Sequence, residues 1–181
     1  MTKQSINVGD RFQSNLAGMF EITSYSGWKK VGVRFLDTGY ETVTQSVHVK
    51  RGKVRDHLHR SFSGVGFIGD GEHKFYIENN PTREGEVWRH MIARCYNPTT
   101  QRQSPSYIGC SVCERWHNFQ NFCDDLPSLP GYADWVNSPE YSLDKDTRIP
   151  GNRIYGPEEC CFITLAENGR DAAFRRFHSG E

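Results

Sequence analysis

The stretch Val31-Gly32-Val33-Arg34-Phe35-Leu36-Asp37-Thr38-Gly39-Tyr40-Glu41-Thr42-Val43-Thr44 sets the character of the first third of the chain. Val31, Val33 and Phe35 recur at every second residue, the period of a half-buried strand. Asp37-Thr38-Gly39 is turn chemistry, and the run that follows it returns at hairpin distance. Working outward, Met19-Phe20-Glu21-Ile22 and Ile6-Asn7-Val8 lie upstream, with Ser26-Gly27 as a turn, and Val47-His48-Val49 lies downstream. Residues 1–70 are therefore expected to form a small antiparallel β barrel or sheet.

Beyond Gly69 the punctuation changes. Gly69-Asp70-Gly71 and Asn79-Asn80-Pro81-Thr82 bracket the short apolar piece Phe75-Tyr76-Ile77, which marks residues 71–83 as a linker. Val87, Trp88, Met91, Ile92 and Cys95 then recur at helical spacing, predicting an amphipathic helix over 84–95. Trp116, Phe119, Phe122 and Cys123 predict a second helix over 112–124. Three prolines and a glycine between Leu126 and Pro139 predict irregular chain. The fold class expected is α+β, with domain boundaries at 1–70 and 84–181.

The chain has 181 residues, 36% of them hydrophobic and 13% aromatic, enough for two small cores because each buried ring removes a large area from water. Its formal net charge is zero, so attraction to nucleic acid has to come from local patches. Residues 1–80 carry 11 Lys and Arg against 8 Asp and Glu, and the remainder carries 11 against 14. The basic cluster Lys50-Arg51-Gly52-Lys53-Val54-Arg55, with Lys29, Lys30 and Arg34, is the candidate phosphate-contacting set; a solvated turn is the competing reading. No apolar stretch approaches a membrane span and no secretory segment is visible, so the expectation is a cytoplasmic protein with reduced cysteines. Cys110-x-x-Cys113 is half of a zinc ribbon, which Cys95, Cys123 or Cys160-Cys161 could complete. A second Cys-x-x-Cys is absent, so structural zinc is the weaker reading and buried thiols the stronger.

The segment Tyr141-Ser142-Leu143-Asp144-Lys145-Asp146, followed by Gly151-Asn152-Arg153-Ile154-Tyr155-Gly156-Pro157-Glu158-Glu159-Cys160 and Glu167-Asn168, resembles the HNH (ββα-metal) motif of phage-type endonucleases. Trp88, Arg94-Cys95-Tyr96, Tyr107-Ile108-Gly109, Val112-Cys113-Glu114-Arg115-Trp116 and Phe119-Gln120-Asn121-Phe122 resemble the helical lead-in of those proteins. The run from Val8 to Gly69 is similar to their front modules. The resemblance implies two short strands and a helix around one divalent metal, Mg²⁺ or Mn²⁺, with DNA as substrate and a phage origin. It sets Asp144 at the strand metal ligand, Lys145 at the general-base histidine, Glu159 at the bracing asparagine and Asn168 at the helix ligand. Arg170, Arg175 and Arg176 would clamp DNA from the last helix.

Lysine is cationic near neutral pH, with a reference pKa of about 10.4, so Lys145 between Asp144 and Asp146 is suited to holding phosphate and not to activating water. A water or a nearby histidine, such as His117, would have to take the base role. The pattern thus carries two functional expectations. One is a metal-dependent DNA endonuclease or nickase. The other is a catalytically degenerate relative that binds DNA or a host or phage protein complex without cutting.

Overall fold

The computed structural model describes residues 5–170 and divides the chain into two compact units. The first comprises residues up to Ser61 together with Phe67–Asp70; the second comprises Phe62–Gly66 and the chain from Gly71 onward. Arg175 and Arg176 lie outside the described residues.

The first unit is built on a four-stranded antiparallel sheet, β1 (Arg11–Gln13), β2 (Met19–Tyr25), β3 (Val31–Phe35) and β4 (Glu41–Thr44), in sequential order. The expected alternation holds: Phe20, Ile22, Val31, Val33 and Phe35 are buried, with Tyr40, Val49 and Val54 completing the core. The barrel alternative is corrected to an open sheet. β1 and β4 are its two edges, short at three and four residues. Thr23 forms a bulge between the pairs Ile22↔Val33 and Ser24↔Gly32. A second correction concerns Val47-His48-Val49, which is not a strand but part of helix α1 (Ser46–Lys50), with only Val49 turned into the core.

On its polar side the sheet sorts charge by register. Arg11 pairs with Glu21, Glu21 with Arg34, and Arg34 with Glu41, so opposite signs alternate across all four strands. Cross-strand pairs of this kind contribute about 0.2–1 kcal/mol each. Arg11 Nε lies 3.2 Å from Glu21 Oε2.

The second unit opens with a hairpin of β5 (Tyr76–Ile77) and β6 (Asn80–Pro81), whose two turn residues, Glu78 (φ 50°) and Asn79 (φ 68°), both adopt the left-handed conformation of a type I′ turn. The segment expected to be a linker is thus built into this unit, and Phe75 within it is buried. Helix α2 (Arg83–Tyr96) follows, started by Thr82, whose hydroxyl accepts from Gly85 N. It buries Trp88, Met91, Ile92 and Cys95, the face that the periodicity predicts. Trp88 is the centre of a ring cluster with Phe62, Phe75 and Phe119, all in edge-on or tilted contact, and its indole N–H donates to the Trp116 carbonyl at 2.7 Å.

Helix α3 (Pro98–Gln103) and strand β7 (Ser111–Val112) lead to a 3₁₀ turn at Glu114–His117 and helix α4 (Phe119–Asp125). The single helix expected over 112–124 is therefore broken. Asn118 leaves the helical region (ψ 119°) and its side chain caps Gln120 N, which starts α4 anew. The stretch expected to be irregular holds a 3₁₀ turn at Leu126–Ser128 and helix α5 (Tyr132–Asn137). Pro127 and Pro130 prevent one continuous helix. Gly131 restarts the chain at φ 79°, where a Cβ would collide with the Phe162 carbonyl.

Strands β8 (Tyr141–Asp144), β9 (Ile154–Tyr155) and β10 (Cys161–Thr164) complete the unit. β8 pairs antiparallel with β10, and β9 runs parallel to β7. Residues 165–170 are helical.

Candidate active site

Strand β8 ends at Asp144, opposite Cys161 at the start of β10. The Asp144 carboxylate is buried, and its Oδ2 accepts from Asp146 N (2.8 Å) and Thr147 N (2.7 Å), which turns the chain out of the strand. Among the described residues its other oxygen accepts no hydrogen bond.

The loop from 145 to 154 is braced by Asn152. Its Nδ2 donates to the carbonyls of Lys145 (2.8 Å) and Ile154 (2.6 Å), while its Oδ1 accepts from Ile154 N (3.1 Å). One amide thereby ties both ends of the loop together. The Glu159 carboxylate, set at the bracing position by resemblance, packs against Gly156.

After β10, Thr164 and Glu167 form a reciprocal cap. Thr164 N and Oγ1 donate to Glu167 Oε2 at 3.0 and 2.7 Å, and Glu167 N donates back to Thr164 Oγ1 at 3.2 Å. These bonds from Thr164 hold the Glu167 carboxyl below its usual range. The cap starts the helical residues and brings Asn168 onto β8, where its Nδ2 donates to Ser142 Oγ (3.2 Å). Ser142 and Asp144 are two apart on one strand, so their side chains leave it on the same side. Asp144 and Asn168 are thus directed to one side of the β8–β10 hairpin. The Asn168 amide oxygen also accepts no hydrogen bond among the described residues.

Lys145 is buried. Its ammonium is engaged by the Asp146 carboxylate and stands 5.7 Å from the centre of the Tyr155 ring. His117 pairs through Nε2 with the Tyr96 hydroxyl at 3.3 Å. A cleft of about 210 Å³ runs between α2 and β8, lined by Arg83, His90, Arg94, Tyr141, Ser142 and Leu143 among others. Arg83 is spent inside it on the carbonyls of Trp135 and Ser138. Arg94 stands 5.3 Å from the Tyr107 ring. Burial, with Arg89 and Arg94, holds the His90 imidazole below its usual pKa against the opposing pull of Glu86.

Asp144 and Asn168 offer hard oxygen donors of the type that Mg²⁺ or Mn²⁺ takes, so this pair fits such an ion. Among the described residues no group of three or more His, Cys, Asp and Glu side chains converges to hold a metal. All six cysteines are free thiols. Cys110 and Cys113 flank β7, and burial pushes the Cys113 thiol up. Burial likewise pushes Cys95 and Cys160 up to about 12.

The basic residues expected to contact phosphate belong to several elements. Lys29 and Lys30 belong to the β2–β3 turn, with Lys29 Nζ 5.0 Å from the Trp28 ring centre. Arg34 points outward from β3 between Glu21 and Glu41. Lys50 ends α1, Arg51 caps it, and Lys53 follows two residues later. Arg170 Nε donates to the Ala166 carbonyl at 3.3 Å. No described helix is long and apolar enough to cross a membrane. No family model, curated protein or solved structure matches this chain.

Proposed function

We propose that the chain is a metal-dependent DNA endonuclease or nickase of the HNH type, acting through the segment 141–170. The observation that carries the reading is the strand–loop–strand–helix segment with Asp144 at the end of its first strand, Asn152 across its loop and Asn168 from its helix directed to the same side as Asp144. Asp144 and Asn168 would hold one Mg²⁺ or Mn²⁺. Bound there, such an ion polarises a phosphoryl oxygen and offsets the charge that develops on the leaving oxygen. Asn152 positions, because the loop it ties carries Lys145.

Lys145 is assigned to charge and not to proton transfer, since its ammonium is held by Asp146. The base is assigned to His90, the histidine in the cleft that Ser142 also lines. Its lowered pKa favours the neutral imidazole, whose Nε2 stands 3.3 Å from Arg89 Nη2 and 3.6 Å from Glu86 Oε2. In hydrolysis a water oxygen bonds to phosphorus, its proton passes to His90, and the bond from phosphorus to the departing sugar oxygen breaks. That oxygen is then protonated from solvent.

A second reading has its own support: the Asp144 carboxylate already turns the loop, and a lysine stands where an HNH nuclease carries its base. In that case the chain binds DNA or a protein complex without cutting. Incubating the whole chain with supercoiled plasmid in Mg²⁺ or Mn²⁺, and in EDTA, separates the two. Nicked or linear DNA that forms with metal and is lost with EDTA supports the nuclease. Intact plasmid with retained DNA binding supports the binder.

A further inference from the structure

We infer that the first unit carries a groove for the backbone phosphates of DNA, lined by Lys53, Arg55 and His57 together with Thr42, Thr44 and His48. It rests on the reading that the chain acts on DNA, and it narrows the basic cluster of the sequence to Lys53 and Arg55 and joins to them His57, Thr42, Thr44 and His48, which the sequence pattern does not group with it. The groove has a volume of about 190 Å³.

Its charge results from how the run 53–57 is laid down. Lys53 and Arg55 are exposed and His57 half-buried, while Val54 and Asp56 between them are buried. Such alternation is that of extended chain, in which every second side chain shares a face, roughly 6.6 Å from the next. The one acid of the run is turned inward. Asp56 Oδ2 accepts from the Thr38 hydroxyl (2.6 Å) and its Oδ1 from Leu58 N (2.8 Å), so this carboxylate is satisfied away from the row. What remains outward is the pair Lys53 and Arg55, with His57 half-buried where the chain turns.

The groove is also lined by Thr42 and Thr44 of β4, an edge strand of the sheet, and by His48 of α1. His57 is fixed in place: its Nδ1 lies 3.2 Å from the Tyr40 hydroxyl and its ring stacks on Tyr40 at 5.2 Å between centres. Asp70 acts on His57 from outside the run. A polar groove that brings two cations and two hydroxyls together suits tetrahedral anions linked in a chain, which phosphodiesters are. It contrasts with the polar side of the same sheet, where Arg34 is flanked by two glutamates and offers no net positive field.

The test is fluorescence anisotropy of a short labelled duplex with the whole chain in EDTA, so that binding is read without cleavage. The variant Lys53→Glu/Arg55→Glu is expected to weaken binding at low salt by at least about tenfold and to flatten the salt slope by about 2, whereas Lys29→Glu/Lys30→Glu, the same charge change elsewhere, is expected to cost less than about threefold. Both positions of the groove variant are exposed, and an unchanged thermal midpoint verifies its fold; Lys53→Ala/Arg55→Ala supplies a milder pair if the midpoint falls. Equal loss in both pairs, no loss in the groove pair, or no DNA binding by the wild-type chain overturns the groove. If the wild type cuts plasmid and the groove pair changes nothing, the groove alone fails. If the groove pair loses binding and nothing cuts, the nuclease reading fails and the groove stands.

Discussion

In the first unit four neighbouring strands carry the backbone hydrogen bonds, and a mainly aliphatic core lies under one face of their sheet. In the second unit, among the described residues, no sheet exceeds two strands, and the chain is held by rings and side-chain braces. Trp88 and its ring neighbours make that core, while Asn152, Gln120, Arg83 and Tyr96 each tie one piece of backbone to another. The difference follows from what each unit must do. A sheet fixes its own geometry and leaves its edge and connections for contact. A hairpin of four-residue strands cannot support a precise site alone, so side chains from loops and helices have to fix Asp144 and Asn168.

The contrast breaks first at Trp88. Removing this ring, wholly buried and hydrogen-bonded, should cost about 3–5 kcal/mol, visible as a large drop in the denaturation midpoint of the second unit. A mild effect from Trp88→Ala would show that its ring cluster is not what holds this unit.

A pH profile sharpens the comparison at the site. The His90 pKa lies below the ordinary imidazole value of about 6.5, so its neutral form persists into mildly acidic solution. Cleavage should hold down through that value and fall only below the lowered one, as the ring takes up a proton. His90→Ala should lose at least about tenfold in rate together with this acid limb, since a positioned base contributes about a hundredfold or more. An unchanged acid limb in that variant would remove His90 from the chemistry.

Smaller effects probe how each unit is braced. Thr164→Ala removes the cap that starts the helical residues carrying Asn168 and should cost about 1 kcal/mol, with a greater loss of cleavage than of stability. In the sheet, Arg34→Glu places three like charges in register and should cost about 0.5–1 kcal/mol, shrinking as salt is added. A salt-independent loss would mean that packing and not the charge ladder was disturbed.

The same contrast explains what could be read from the residues. Strands β2 and β3, the α+β class and helix α2 were legible because burial imposes a period, and Val31, Val33, Phe35, Trp88, Met91 and Ile92 display it. The break at Asn118 was not, because apolar residues on both sides share a face while one side chain caps a new helix. Val47-His48-Val49 reads as a strand because β-branched residues flank it, yet only Val49 is needed by the core. Asp144 and Asn168 enter as a pair only through a resemblance; what the structure adds is the bond from Asn168 to Ser142, two residues before Asp144 on β8. The brace at Asn152 and the joining of His57, Thr42, Thr44 and His48 to Lys53 and Arg55 were not legible, since both depend on where a loop returns.

The most direct test of the account is to measure DNA affinity and single-turnover plasmid cleavage side by side for the wild type and Asp144→Ala. The account predicts that the variant binds DNA within about twofold of the wild type and cleaves at least about a hundredfold more slowly, because a ligand to the metal is lost while the binding groove is untouched. Cleavage by Asp144→Ala at the wild-type rate would contradict it.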